Sequence, residues 1–138
     1  MATTLYTAKA TVTGGRVGHG ATDDKALDVN LVKPGSSAGT NPEQLFAIGY
    51  GDCFGGAVGA VAKHEGVDGE GMEIKSEVTL NQDENGFFIG ATLNVTLPKL
   101  DADTAVKIVA GAHQMCPYSK ATRGNIVVKL TANGKNVG

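Results

Sequence analysis

Apolar and polar positions alternate loosely over residues 5–13, where Thr and Val favour an extended chain, and this predicts a first strand. Gly14-Gly15 breaks the run as a turn and leads directly into Arg16. Leu27, Val29 and Leu31 then alternate with Asp28 and Asn30, a strand with one wet face. Residues 34–40, rich in Gly, Ser and Thr, read as a loop. From Pro42 to about His64 the alternation gives way to a nearly continuous apolar and small-residue stretch. Asn41 can cap it, Pro42 suits the first helical position, and Glu43 faces the positive end of the helix dipole. The stretch is therefore a helix, apolar on nearly all sides and expected to be buried. Its Gly49, Gly51, Gly55, Gly56 and Gly59 each cost about 1 kcal/mol relative to Ala. Such a helix requires either close approach by another backbone or a local bend.

Period two returns after the loop at 66–71. Met72, Ile74, Val78 and Leu80 alternate with Glu73, Lys75, Glu77 and Thr79. Asp83-Glu84-Asn85-Gly86 is a turn with Asn-Gly as its strongest signal, and Phe87, Ile89, Ala91, Leu93, Val95 and Leu97 resume the alternation up to Pro98. A second helix, capped by Asp101 or Asp103, carries Ala105, Ile108, Val109, Ala112, Met115 and Cys116 near one face and stops at Pro117. A last strand covers 125–132. The order of strands, helix, hairpin, helix and strand defines an α+β class with antiparallel sheet rather than a doubly wound parallel fold. If the first helix is covered all round, a single chain of this size does not suffice, and a dimer is expected.

Composition narrows the function classes. The chain of 138 residues is expected to form one domain, spanning 1–138, with a real core. A net charge of −2 argues against nucleic acid or an anionic membrane as partner. No uninterrupted apolar run of bilayer length is seen, and the N-terminus lacks the basic and apolar regions of a signal peptide. A cytoplasmic location is the expectation, and there a lasting structural disulfide is disfavoured. The two cysteines, Cys53 and Cys116, are thus either inert core residues or working thiols. They lie on different predicted helices, and no CxxC motif is present. Cys116 sits at a helix end in His113-Gln114-Met115-Cys116-Pro117-Tyr118-Ser119, where the backbone turns. Arg16 follows a Gly-Gly turn with no neighbouring charge.

These features fall into a recognisable set. Gly14-Gly15-Arg16, Asn41-Pro42-Glu43-Gln44-Leu45-Phe46-Ala47, Gly49-Tyr50, Cys53-Phe54, and the stretch from Ala112 to Ser119 with Ala121-Thr122-Arg123-Gly124-Asn125-Ile126 resemble the organic hydroperoxide resistance proteins of the OsmC-like thiol peroxidases. The resemblance runs from about Tyr6 to Leu130. It implies antiparallel sheets wrapped around a buried central helix in an intertwined homodimer, and a peroxidase that needs no cofactor. Cys53 would be the attacking thiolate and Cys116 the resolving thiol, with Arg16 and Glu43 as the family's site arginine and glutamate. The physics suits these roles. Only a thiolate attacks, and a free thiol is mostly protonated at neutral pH. A fixed guanidinium would favour the thiolate and the charge developing on the peroxide oxygens, and a carboxylate would hold that guanidinium by a bidentate fork. Attack on an organic hydroperoxide releases an alcohol and leaves a sulfenic acid, which Cys116 condenses with to form a disulfide. A dithiol must reopen it, and the family uses dihydrolipoyl groups, free or on lipoylated proteins. Phe54 and Met115, each beside a cysteine, and Phe46 are the candidate walls for an alkyl or lipid tail.

Glu43 and Cys53 are ten residues apart, about 15 Å along a straight helix and about 80° apart around it. One arginine does not easily reach both, so either the glycines bend the segment or the site combines residues of two subunits, and a site at a dimer interface is the favoured expectation. Asp52 precedes Cys53 where relatives carry a small residue, and Val17 replaces a commonly polar one. If Asp52 faced the thiol its charge would raise the Cys53 pKa. His113 and Cys116 share a helix face, but zinc would need two further ligands, and no metal is expected. His113 is read as fixing the helix end, His19 and His64 as solvated, and Arg123 as structural. Two other readings stay open: a non-enzymatic carrier of apolar ligands, and an interaction protein switched by its disulfide. Arg16 with Glu43 weighs against the carrier, because a carrier of neutral lipids has no need of a cation beside a thiol.

Overall fold

The computed structural model describes residues 2–138, which divide into two compact units, Met1–Leu45 and Phe46–Gly138. In the first, β1 (Ala10–Thr13), β2 (Gly18–Thr22) and β3 (Asp28–Leu31) form an antiparallel sheet in that order. The strand expected over 5–13 is thus shorter. Leu5 and Tyr6 are 92% and 81% exposed and gain no ladder. β2 has no counterpart in the expected elements, because Gly-His-Gly-Ala-Thr carries neither alternation nor strand propensity. Its pairing on both sides holds it extended. Thr40 N donates to Asn30 O at 2.8 Å and Val32 N to Thr40 O at 2.9 Å, which lays the loop end beside β3 just before the long helix.

That helix, α1 (Pro42–Glu65), begins as expected, with Gln44 N donating to Asn41 Oδ1 at 2.8 Å. By length and composition it could cross a membrane, but it serves a core. Tyr50, Phe54, Ala57, Val58 and Ala62, spaced three and four apart on one side, are buried. They join Leu93 and Val95 of the hairpin, Leu97 just beyond it, and Ala105, Ile108, Val109 and Ala112 of the second helix in one cluster. Within the chain the burial therefore follows one side rather than the whole circumference, and Ile48 is 73% exposed. The glycines admit side chains rather than a second backbone. A β-carbon at Gly49 would meet the Tyr118 ring, whereas Gly56 and Gly59 face open space.

The hairpin is the expected one, β4 (Glu73–Asp83) with β5 (Gly86–Thr96) in continuous antiparallel register. Its turn is centred on Glu84-Asn85, and the positive φ of 121° falls on Gly86. Asp101 is the cap of α2 (Ala102–Met115), accepting from Thr104 N at 2.7 Å. Pro117 ends α2, as expected, but it also opens a further short helix, α3 (Pro117–Thr122). The last strand narrows to β6 (Val128–Ala132), followed by β7 (Lys135–Asn136), in a sheet of order β4-β5-β6-β7. β5 and β6 pair in parallel, the one such pair among the named strands. Parallel neighbours need a crossover, and α2 with α3 supplies it.

Candidate active site

Arg16 stands on the turn between β1 and β2. Gly14 and Gly15 take φ of 76° and 61°, and a β-carbon on Gly14 would lie 2.5 Å from Val17 O, so only glycine fits there. From this turn Arg16 Nη2 donates to Glu43 Oε1 at 2.5 Å and Nη1 to Oε2 at 3.3 Å, a two-pronged fork. Glu43 lies in the first turn of α1, where the helix dipole also favours its charge. The Arg16 hydrogen bond holds the Glu43 carboxyl below its usual range, and Glu43 in turn raises the guanidinium. The arginine side chain is half exposed. Exposed pairs add little stability, so the fork matters for orientation.

The two sulfurs are brought together inside the second unit. Cys53 is half-buried on α1, and Cys116 is fully buried where α2 ends and α3 begins. Both are free, and the Cys116 thiol donates to Cys53 Sγ at 3.4 Å. Burial pushes the Cys53 thiol up, and Cys116 and, last, the Asp52 charge push it further. The Tyr118 backbone N–H pulls the other way. Asp52 does therefore act on the thiol, as the smallest of these influences. No cation is among these influences.

The corner that carries Cys116 is tied by buried hydroxyls. Tyr50 OH is 2.9 Å from Ser119 Oγ and 3.1 Å from Thr122 Oγ1. His113 Nδ1 is 2.8 Å from Ser119 Oγ, and Arg123 Nη1 donates to His113 O at 2.8 Å. His113 thus holds the helix end, as expected, and the structural role expected of Arg123 is to bind the same helix end. If Thr122 Oγ1–H donates to Ser119 O, one proton per hydroxyl orders the chain from His113 Nδ1–H through Ser119 and Tyr50. Burial and then the Arg123 charge lower the His113 pKa. His19, expected to be solvated, lies 2.5 Å from Asp28 on the exposed sheet of the first unit. Among the described residues no three His, Cys, Asp or Glu side chains gather as metal ligands.

Of the candidate walls, Phe54 is fully buried in the core, Met115 is 55% exposed, and Phe46 packs edge-on against Tyr50 with centroids 5.8 Å apart. An open groove of about 710 Å³ runs past Ile48, Asp52, Met72 and Ile74, and neither cysteine lines it. Tyr50, Tyr118 and Ser119 hold the site together and were not singled out as site residues by sequence reasoning. The signal was present in Cys-Pro, since Pro after a turning residue begins a helix as readily as it ends one.

The fold is α+β, and the core of its second unit brings two free thiols into contact. The OsmC-like protein model matches residues 34–131, and the chain belongs to that family, in the branch of the organic hydroperoxide resistance proteins. It is 51% identical over 132 residues to the organic hydroperoxide resistance protein OhrB of Bacillus subtilis, covering 91% of this chain and 96% of that protein. The crystal structure of that OhrB superposes with a TM-score of 0.88 over 94% of this chain and 99% of its own. The organic hydroperoxide resistance protein of Xanthomonas axonopodis pv. citri is 48% identical over 133 residues, 92% of this chain and 94% of its own. That of Elizabethkingia anophelis, 40% identical, superposes with a TM-score of 0.85 over 96% of this chain and 99% of its own.

Proposed function

We propose that the protein is a thiol peroxidase that reduces organic hydroperoxides to alcohols. The observation that carries this reading is the contact of two free sulfurs at 3.4 Å, in a chain whose relatives are named for organic hydroperoxide resistance. Cys53 attacks the peroxide and becomes a sulfenic acid, Cys116 closes a disulfide on it, and a dithiol reopens that bond. A dihydrolipoyl group, free or on a lipoylated protein, is the proposed reductant. Arg16, its guanidinium oriented by Glu43, supplies the cation that the thiol's own surroundings lack. Phe46 and Met115 furnish apolar surface for the substrate tail, and Phe54, fully buried in the core, backs that surface from behind. The working form is a homodimer of single-domain chains in the cytoplasm. The exposed Ile48 side of α1 favours a second copy.

The test is stopped-flow mixing of the reduced protein with an alkyl hydroperoxide and, separately, with hydrogen peroxide, counting thiols before and after. Fast loss of two thiols with the alkyl substrate and slower loss with hydrogen peroxide is the expected outcome. No thiol loss with either oxidant would overturn the reading and favour a carrier of apolar ligands.

A further inference from the structure

Cys116 ends one helix and caps the next, so its sulfur goes where the corner between α2 and α3 goes. One side chain in the first turn of α3 seats that corner on α1. The Tyr118 ring lies against Phe46 and Tyr50, with centroids 5.8 and 5.7 Å away. It also covers Gly49. A β-carbon there would stand 3.0 Å from the Tyr118 hydroxyl oxygen and 3.5 Å from two ring carbons. Alanine would be the better helix former at an interior position, so glycine at 49 has its reason in the ring above it.

We infer that Tyr118 is a positioning residue for the thiol pair: its ring, seated on Gly49, fixes the α2–α3 corner so that the Cys116 sulfur stands one short movement from Cys53. The inference takes its meaning in catalysis from the proposed peroxidase activity, while the seat can be tested apart from it. In that activity the Cys53 thiolate takes the terminal oxygen of the hydroperoxide, the O–O bond breaks, and the alkoxide leaves as the alcohol after protonation. The Cys116 thiolate then attacks the sulfenic sulfur. The S–S bond forms, the S–O bond breaks, and hydroxide leaves as water with the proton Cys116 gave up. The sulfurs must close from 3.4 Å to bonding distance, a movement of about 1.4 Å. A β-carbon 3.0 Å from the Tyr118 hydroxyl forces its seat to give by a few tenths of an ångström, a sizeable fraction of that movement.

The experiment compares closure of the disulfide in the parent, Gly49→Ala, and Gly49→Ala/Tyr118→Phe proteins. It is driven once by an alkyl hydroperoxide and once by diamide, which oxidises thiols without a peroxide. Gly49→Ala is expected to slow closure about tenfold with diamide. It should also raise the Cys53 titration midpoint, because the Tyr118 N–H that favours the thiolate moves with the ring. Tyr118→Phe deletes the atom at 3.0 Å and leaves only ordinary contacts at 3.5 Å, so the double variant should recover the parent rate. A Gly49→Ala protein that closes as fast as the parent, or a double variant no faster than Gly49→Ala, overturns the inference. If the parent ignores the hydroperoxide, the peroxidase reading falls, and the diamide rates still decide the seat.

Discussion

The Arg16–Glu43 fork and the Cys53–Cys116 pair are positioned by opposite means. The fork is held by short local devices, a glycine turn and a helix N-terminus, in a unit whose buried apolar side chains, among the described residues, are Ala21 and Leu31. The thiols are held by a core. Tyr50, Phe54, Leu93, Leu97, Ile108 and the buried Cys116 itself belong to one cluster of the second unit. In the proposed mechanism the difference follows from what each group does. A guanidinium keeps its charge at any working pH and loses little by remaining half in water. Two thiols that close from 3.4 Å to a bond must be placed with a precision of about an ångström, which close-packed surroundings enforce. The cost of that packing is visible in the direction of the Cys53 shift, since desolvation favours the unreactive thiol.

If this contrast is right, substitutions in the two regions should fail in different ways. Phe54→Ala empties a fully buried position of the cluster and is expected to cost about 3–5 kcal/mol of unfolding free energy, read from denaturant midpoints. A much smaller loss would release Phe54 from the core and return it to the substrate wall. Arg16→Ala should do the reverse. The second-order rate with an alkyl hydroperoxide is expected to fall by about 10²–10³, while the denaturant midpoint stays with the parent's, because the side chain is half exposed. An unchanged rate would remove Arg16 from the mechanism.

The same contrast sets how far the sequence could be read. The hairpin over 73–96 is legible because each strand is long, alternates cleanly and meets at a turn of the right residues. α1 is legible from Asn41-Pro42-Glu43, and α2 from Asp101 and its apolar face. β2 is not, because its extended state comes from two neighbouring strands and not from its own residues. α3 is hidden because Pro117 reads as a stop. Arg16, Glu43 and the two cysteines are named through a resemblance that spans nearly the whole chain. The buried hydroxyl chain of Tyr50, Ser119 and Thr122 leaves no periodic trace, since a single hydroxyl in a helix shows its partner only after the elements pack.

The smallest expected effect tests whether that hydroxyl chain belongs to the packed region. His113 has its pKa lowered from 6.5, first by burial and then by the Arg123 charge. The unfolded chain therefore binds a proton at a higher pH than the folded one. Between the ordinary imidazole range and the depressed folded value the unfolded state holds more protons, so acidification through that window destabilises the fold, and above it the contribution is constant. His113→Asn keeps a polar atom near the Nδ1 position for Ser119 and removes the titration. Its stability should fall less than the parent's when denaturation is measured at about pH 7.5 and again at about pH 5.5. A parent that gains stability on acidification relative to the variant would reverse the sign. It would mean that a protonated His113 is favoured by a nearby negative charge, and that the corner is held by an ion pair rather than by a neutral hydrogen-bonded chain.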